Sequence, residues 1–213
     1  MIKRDPELFT LTIDKWIQMA RPREFDEDTV LEAAMQRFWN NGYEATSMRD
    51  LADRTGMTTP SLYNAFGDKK AIYRLVLDRY LRLTLETSSA IFGGGDPPLR
   101  ALERYFDANV EEVLADRLHK GCLVVNTALE VAPHDQDFRD VVTGAFAGIE
   151  KSVRDCVAAG QRDGSILTSQ PAADIARLAL GIIVGLRVLA RTNPDRDLLT
   201  GVVRPFFVLL RTQ

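Results

Sequence analysis

Helix-length apolar stretches cut by proline and glycine, with no run in which valine, isoleucine and threonine alternate over strand length, confine this chain to an all-α fold. The breaks fall at Gly42, Gly56, Gly67, Pro133, Gly160, Gly164, Pro171 and Pro194. Between them the pattern predicts helices at about 27–40, 47–55, 60–66, 68–91, 99–116, 122–131, 135–159, 172–192 and 197–210. Gly93-Gly94-Gly95-Asp96-Pro97-Pro98 is the clearest linker. Residues 1–22 form an N-terminal extension with two readings. Leu8, Leu11 and Trp16 mark a short amphipathic helix, or Met19 is the native start and what precedes it is an upstream addition. Residues 23–82 then make a small helical domain and 83–213 a larger one.

Composition narrows the class. The 213 residues are 46% hydrophobic and 27% charged, enough apolar material for a sizeable core in a soluble chain. No stretch approaches the roughly 18 apolar residues of a membrane span, and Leu178–Leu186 is the best of them. The N-terminus has no signal-peptide layout, so no membrane partner is expected. Two cysteines, Cys122 and Cys156, make no disulfide framework and imply a reducing, cytoplasmic setting. The net charge is −3, yet residues 46–82 carry seven basic against four acidic side chains. A local basic face inside an acidic protein fits nucleic acid, although a solvated surface looks the same.

The stretch from Gly42 to Tyr73, GYEATSMRDLADRTGMTTPSLYNAFGDKKAIY, is the most specific feature. Ser47 with Asp50 three residues on reads as a capping box opening a short helix. Met48, Leu51 and Ala52 form its inner face, and the small Ala52 lets a second helix approach. Gly56 supplies a tight turn, because it takes positive φ without steric cost. Thr59 is the expected N-cap of the next helix, with Pro60 in its first turn. Met57 and Leu62 point back into the same core. Two short helices joined by a Gly-containing turn are a helix-turn-helix. Thr58, Thr59, Ser61, Tyr63 and Asn64 give the second helix a polar, uncharged outer face suited to base edges and phosphates.

These residues resemble the DNA-binding domain of the TetR family. That family's pattern is met by Gly42, Thr46 or Ser47, Leu51-Ala52, Gly56, Leu62-Tyr63, Phe66 and Lys69, over about residues 23–81. Asn64-Ala65 stand where the family often has His or Tyr before the Phe, which leaves the operator sequence open. The resemblance implies a three-helix DNA-binding domain followed by a larger helical ligand-binding and dimerisation domain. It also implies a homodimer on a palindromic operator, usually a repressor released by a small-molecule effector. The DNA-contacting set expected here is Thr46, Ser47, Arg49, Thr58, Thr59, Pro60, Ser61, Tyr63, Asn64 and Lys69. Several of these have a plainer role open to them: capping for Thr46 and Ser47, core packing for Tyr63, solvation for Arg49. Lys69, at a helix start, is the strongest phosphate candidate.

The segment Leu178–Leu189 is apolar on nearly every face and interrupted only by Arg187, so it needs cover on every face. One side can be covered by a partner subunit. The expected interface is Leu178, Gly181, Ile182 and Gly185 with Val203, Phe206, Phe207 and Leu210, matching the family's four-helix bundle. Phe92, Tyr105, Phe106, Cys122, Asn126, Leu129, Phe146 and Ile149 are the candidate ligand pocket, although aromatics at this spacing also build ordinary cores. Cys122, beside His119 and Lys120, is either a reactive, redox-sensing thiol or a small buried hydrophobe. His119 and His134 match no metal spacing, and no metal or cofactor is expected. No phosphate loop, carboxylate pair or nucleophile–base motif supports an enzyme built on Cys122 or the histidines. The negative overall charge argues against a non-specific nucleoid-type DNA binder.

Overall fold

The computed structural model describes residues 25–211. Among these it contains nine helices and no strand: α1 Glu27–Asn41, α2 Met48–Thr55, α3 Thr59–Phe66, α4 Lys69–Phe92, α5 Pro98–Ala115, α6 Leu123–Glu130, α7 Gln136–Asp163, α8 Ala172–Leu189 and α9 Arg196–Leu210. The extension read at residues 1–22 lies outside the described residues. Asp26 caps α1 by accepting the Asp28 N–H, and acidic residues occupy the first turn, where the helix dipole favours them. The stripe Val30, Leu31, Ala34, Met35 and Phe38 is buried. Gly42 ends the helix at φ +85°, returning its N–H to the Phe38 carbonyl at 2.8 Å.

One boundary differs from the sequence pattern for an identifiable reason. Gly160 does not break α7. It is buried against Ile166, whose side chain would lie 2.6 Å from any Cβ placed there, so the glycine serves close packing. The break comes at Gly164, at φ +81°. Pro205 sits inside α9, on its exposed side.

The buried side chains form two clusters. One gathers α1 to α4 and continues into Leu123 and Val124 of α6, Val131 and Ala132 in the turn after it, and Phe138 and Val142 at the start of α7. The other joins α5 and the far end of α7 to α8 and α9, around Leu102, Phe106, Val153, Val157, Leu186 and Phe206. The helix-turn-helix and the neighbouring part of the larger domain therefore share one core. Polar contacts bind the same seam. The Trp39 indole N–H donates to the Gly121 carbonyl at 2.8 Å, and the Tyr73 and Thr127 hydroxyls meet at 2.8 Å. Burial pushes the Tyr73 phenol up to about 12. The Glu130 carboxylate accepts the backbone N–H groups of Tyr43 at 3.1 Å and Glu44 at 2.7 Å.

Candidate nucleic-acid interface

α2 opens on a reciprocal cap. The Ser47 hydroxyl accepts from the Asp50 N–H at 3.2 Å, and the Asp50 carboxylate accepts from the Ser47 N–H at 2.9 Å. The Ser47 hydroxyl and N–H, with Arg37 at 2.7 Å, hold the Asp50 carboxyl below its usual value. Leu51 and Ala52 point into the core, and Gly56 turns the chain at φ +71° in the left-handed region. α3 follows with Leu62 and Phe66 buried. Its N-cap is Thr58, one residue before the Thr59 expected from the pattern. The Thr58 hydroxyl accepts from the Ser61 N–H at 3.3 Å, while Thr59 and Pro60 start the helix. Proline is tolerated in either of the first two positions, because neither N–H has an intrahelical partner.

Burial sorts the predicted contacts. Ser47, Arg49, Thr58, Pro60, Ser61, Tyr63 and Asn64 are all exposed, Tyr63 at 49%, and Thr59 is half-buried. Thr46 is a correction. It is only 1% exposed, and its hydroxyl donates to the Gly42 carbonyl at 2.7 Å, closing the α1–α2 turn rather than facing outward. Lys69 is also drawn inward. Its ammonium donates to the Tyr43 carbonyl at 3.1 Å and lies 4.2 Å above the Tyr43 ring.

The local positive charge is smaller than the residue count suggests. Lys70 pairs with Asp135 and Asp137, each at 2.7 Å, which raises its pKa. Arg74 pairs with Asp78 at 3.0 Å, and Arg79 with Asp28. Arg49, Arg54 and Arg82 are exposed, with no ion pair to a described residue. Arg54 was not singled out by the sequence pattern, because nothing in the spacing shows which cations a distant acid will neutralise.

Family models match two stretches of the chain. Residues 30–76 match the model of bacterial regulatory proteins of the tetR family, and residues 98–206 match a tetracyclin repressor-like C-terminal domain. The chain belongs to the TetR family. Among its relatives, the HTH-type transcriptional repressor ComR of Escherichia coli K12 is 31% identical over 83% of this chain and 85% of its own length. The transcriptional repressor DhaR of a Mycobacterium species is 29% identical over 64% of this chain and 68% of its own. Among solved structures, the TetR-family regulator CifR, a cysteine mutant complexed with 26-bp operator DNA, superposes with a TM-score of 0.78. It is 29% identical, over 88% of this chain and 98% of that one. As a TetR-family member the chain is a DNA-binding transcriptional regulator, with α2 and α3 as its helix-turn-helix.

The larger domain of this TetR-family chain encloses a cavity of about 420 Å³ between α4, α5, α6, α7 and α8. Of the residues expected in a pocket, Tyr105, Cys122, Phe146 and Ile149 line it. The other four do not. Phe92 packs on the Tyr105 ring at 4.9 Å, and Phe106 is fully buried between Phe206 and Phe207. Asn126 donates to the Lys120 carbonyl and accepts from Arg191, and Leu129 is 67% exposed. In α6, Cys122 is the N-cap with extended backbone, and Val124 and Val125 face the cavity in place of Asn126 and Leu129. The Cys122 thiol accepts from the Tyr80 hydroxyl at 3.5 Å. No group of three or more potential metal ligands occurs among the described residues, and no described helix is long and apolar enough to cross a membrane.

The expected dimer residues divide as well. Val203, Phe206 and Leu210 are buried within the subunit's own second core, which corrects their assignment to an interface. Leu178 and Gly181 are exposed; Ile182, Gly185 and Phe207 are partly so. The outward stripe of α8 is Leu178, Gly181, Ile182, Gly185, Val188 and Leu189. That of α9 is Leu198, Gly201, Val202, Pro205, Val208 and Leu209, at the same spacing.

Proposed function

We propose that the chain acts as a homodimeric repressor that grips a palindromic operator through α3 and lets go when a small molecule fills the cavity beside α4. The outward row Thr58, Ser61, Tyr63 and Asn64, carried on a helix pinned by Leu62 and Phe66, supports this best, with Ser47 exposed at the start of α2. The row has hydroxyl and amide groups for phosphates and base edges, while Arg49 and Arg54 have charge to spare for the backbone. Each good base contact discriminates by about 1–3 kcal/mol, so one short helix is weakly selective and a two-fold pair is not. The matching apolar stripes of α8 and α9, with Leu178 44% and Val208 59% exposed, support pairing of two copies there.

The route from cavity to DNA is short. Tyr80, Leu81, Thr84, Leu85 and Ser88 of α4 line the cavity, and the same helix starts three residues after α3 ends. A ligand that wedges α4 from α7 tilts α4 and with it α3. Each recognition helix then moves away from its major groove. The Glu130 and Tyr73–Thr127 bonds couple α6 to the same movement.

The test is selection of bound sequences from a random duplex pool by the purified chain. A palindromic consensus with half-sites about one helical turn apart is expected. Equal affinity for random and selected duplexes at matched salt refutes specific repression.

A further inference from the structure

Arg187 is the single charged residue between Leu178 and Leu189, and its side chain is 9% exposed. A guanidinium taken this far from water is costly unless its donors are satisfied. One nitrogen takes both protein partners: Nη2 donates to Asn109 Oδ1 at 2.8 Å and to Glu112 Oε2 at 2.6 Å. Nε and Nη1 share three N–H groups and have no hydrogen-bond partner among the described residues. Arg187 lines the 420 Å³ cavity, whose wall is otherwise largely apolar, with Leu81, Leu85, Val141, Phe146, Ile149 and Ile183. It also borders an adjoining hollow of about 400 Å³ beside Trp39, with Tyr80, Tyr105 and Asn109 common to both.

The other charged side chains at the cavity are accounted for. Arg74 and Asp78 pair with each other, and Asp140 is exposed and accepts from the Gln136 amide. The buried charge of this wall is therefore Arg187, paired with Glu112 through Nη2 alone and with its Nε and Nη1 donors open.

We infer that the cavity takes a small amphipathic carboxylate, its head on the Nε and Nη1 edge of Arg187 and its apolar body between α4 and α7. A carboxylate presents two acceptors in the plane of the fork and matches it bidentately. A neutral ligand offers these three N–H groups no charged acceptor, and an ammonium is repelled. This reading assigns a ligand class to the effector cavity proposed above and rests on that proposal.

The test uses the full-length chain and a panel of straight-chain C6–C10 and arylalkanoic acids, each beside its primary amide, titrated by calorimetry. The acid of at least one pair is expected to bind about tenfold or more tighter than its amide, the step a charged hydrogen-bonded head provides. Arg187→Met is expected to erase that ratio while leaving the helical signal in place. Glu112→Gln, at a half-exposed position, removes the carboxylate that competes for Arg187 and is expected to widen the ratio several-fold. Equal binding of acid and amide, no saturable binding by any acid, or a ratio that survives Arg187→Met overturns the inference. If Arg187→Met does not fold, an unchanged ratio in Glu112→Gln overturns it. Operator binding without any added acid is measured alongside. Its absence counts against the repressor reading, while a tenfold acid preference still stands as evidence for the site.

Discussion

Removing the Glu130 carboxylate tests how firmly the larger domain holds the DNA-binding helices. Its two oxygens each take one backbone N–H from the turn between α1 and α2, at 3.1 Å from Tyr43 and 2.7 Å from Glu44. A hydrogen bond to a charged group is worth about 1.5–3 kcal/mol, and the low end applies where solvent can replace the acceptor. The Glu44 N–H faces solvent and counts for less; the Tyr43 N–H is part-buried. Glu130→Ala is therefore expected to lower unfolding stability by about 2 kcal/mol, near 4–8 °C in midpoint for a chain of this size. Glu130→Gln keeps one acceptor but turns an NH2 toward the second N–H, so it should lose about half as much or more. Urea unfolding at fixed protein concentration measures both, because the midpoint of any protein that self-associates depends on concentration. A Glu130→Ala variant within about 0.5 kcal/mol of the parent, or a Gln variant equal to it, would show that the strut carries no strain between the domains.

Four further outcomes are expected. Tyr63→Phe and Asn64→Ala should each weaken operator binding by about 1–3 kcal/mol in a fluorescence-anisotropy titration, with unchanged unfolding curves. Arg49→Ala should weaken all duplexes alike and reduce the slope of log affinity against log salt by about one. Gly181→Glu meets no atom within 4 Å of its Cβ, so it should leave each subunit folded while sedimentation reports a monomer. Asp50 has its folded-state pKa depressed by the Ser47 cap, so its stabilisation is present above the unfolded carboxylate pKa and is lost as pH falls through the folded value. Asp50→Ala should thus be less stable than the parent at neutral pH, and the two curves should converge below about pH 4.

The helix-turn-helix was legible in the sequence because its determinants are local. Ser47 and Asp50, Gly56, Pro60, and the Leu51–Leu62 pair act within twenty residues of one another, and capping chemistry fixes them whatever lies beyond. What the sequence did not disclose depends on distant partners. Lys69 read as a phosphate ligand, because nothing nearby showed its ammonium turning onto the Tyr43 ring. Thr46 read as outward until its bond to Gly42 was seen. In the larger domain, Phe206 and Leu210 lie on the same helix as the exposed Val208, and apolar character alone does not tell an inner stripe from an outer one. The apolar run containing Arg187 was visible, but its partners Asn109 and Glu112 lie 78 and 75 residues away.

The placement of the two cores bears on how the molecule can be taken apart. The glycine- and proline-rich linker looks like the natural cut, yet Leu123, Val124, Phe138 and Val142 from beyond it complete the packing around Tyr73 and Leu77. A fragment ending before the linker would leave the Tyr73 ring and the Leu77 side chain facing water. It would lose cooperativity, so α3 cannot be expected to dock on DNA as a detachable module. Whatever disturbs the packing of α6 and the start of α7 is already disturbing the foundation on which the reading helix stands.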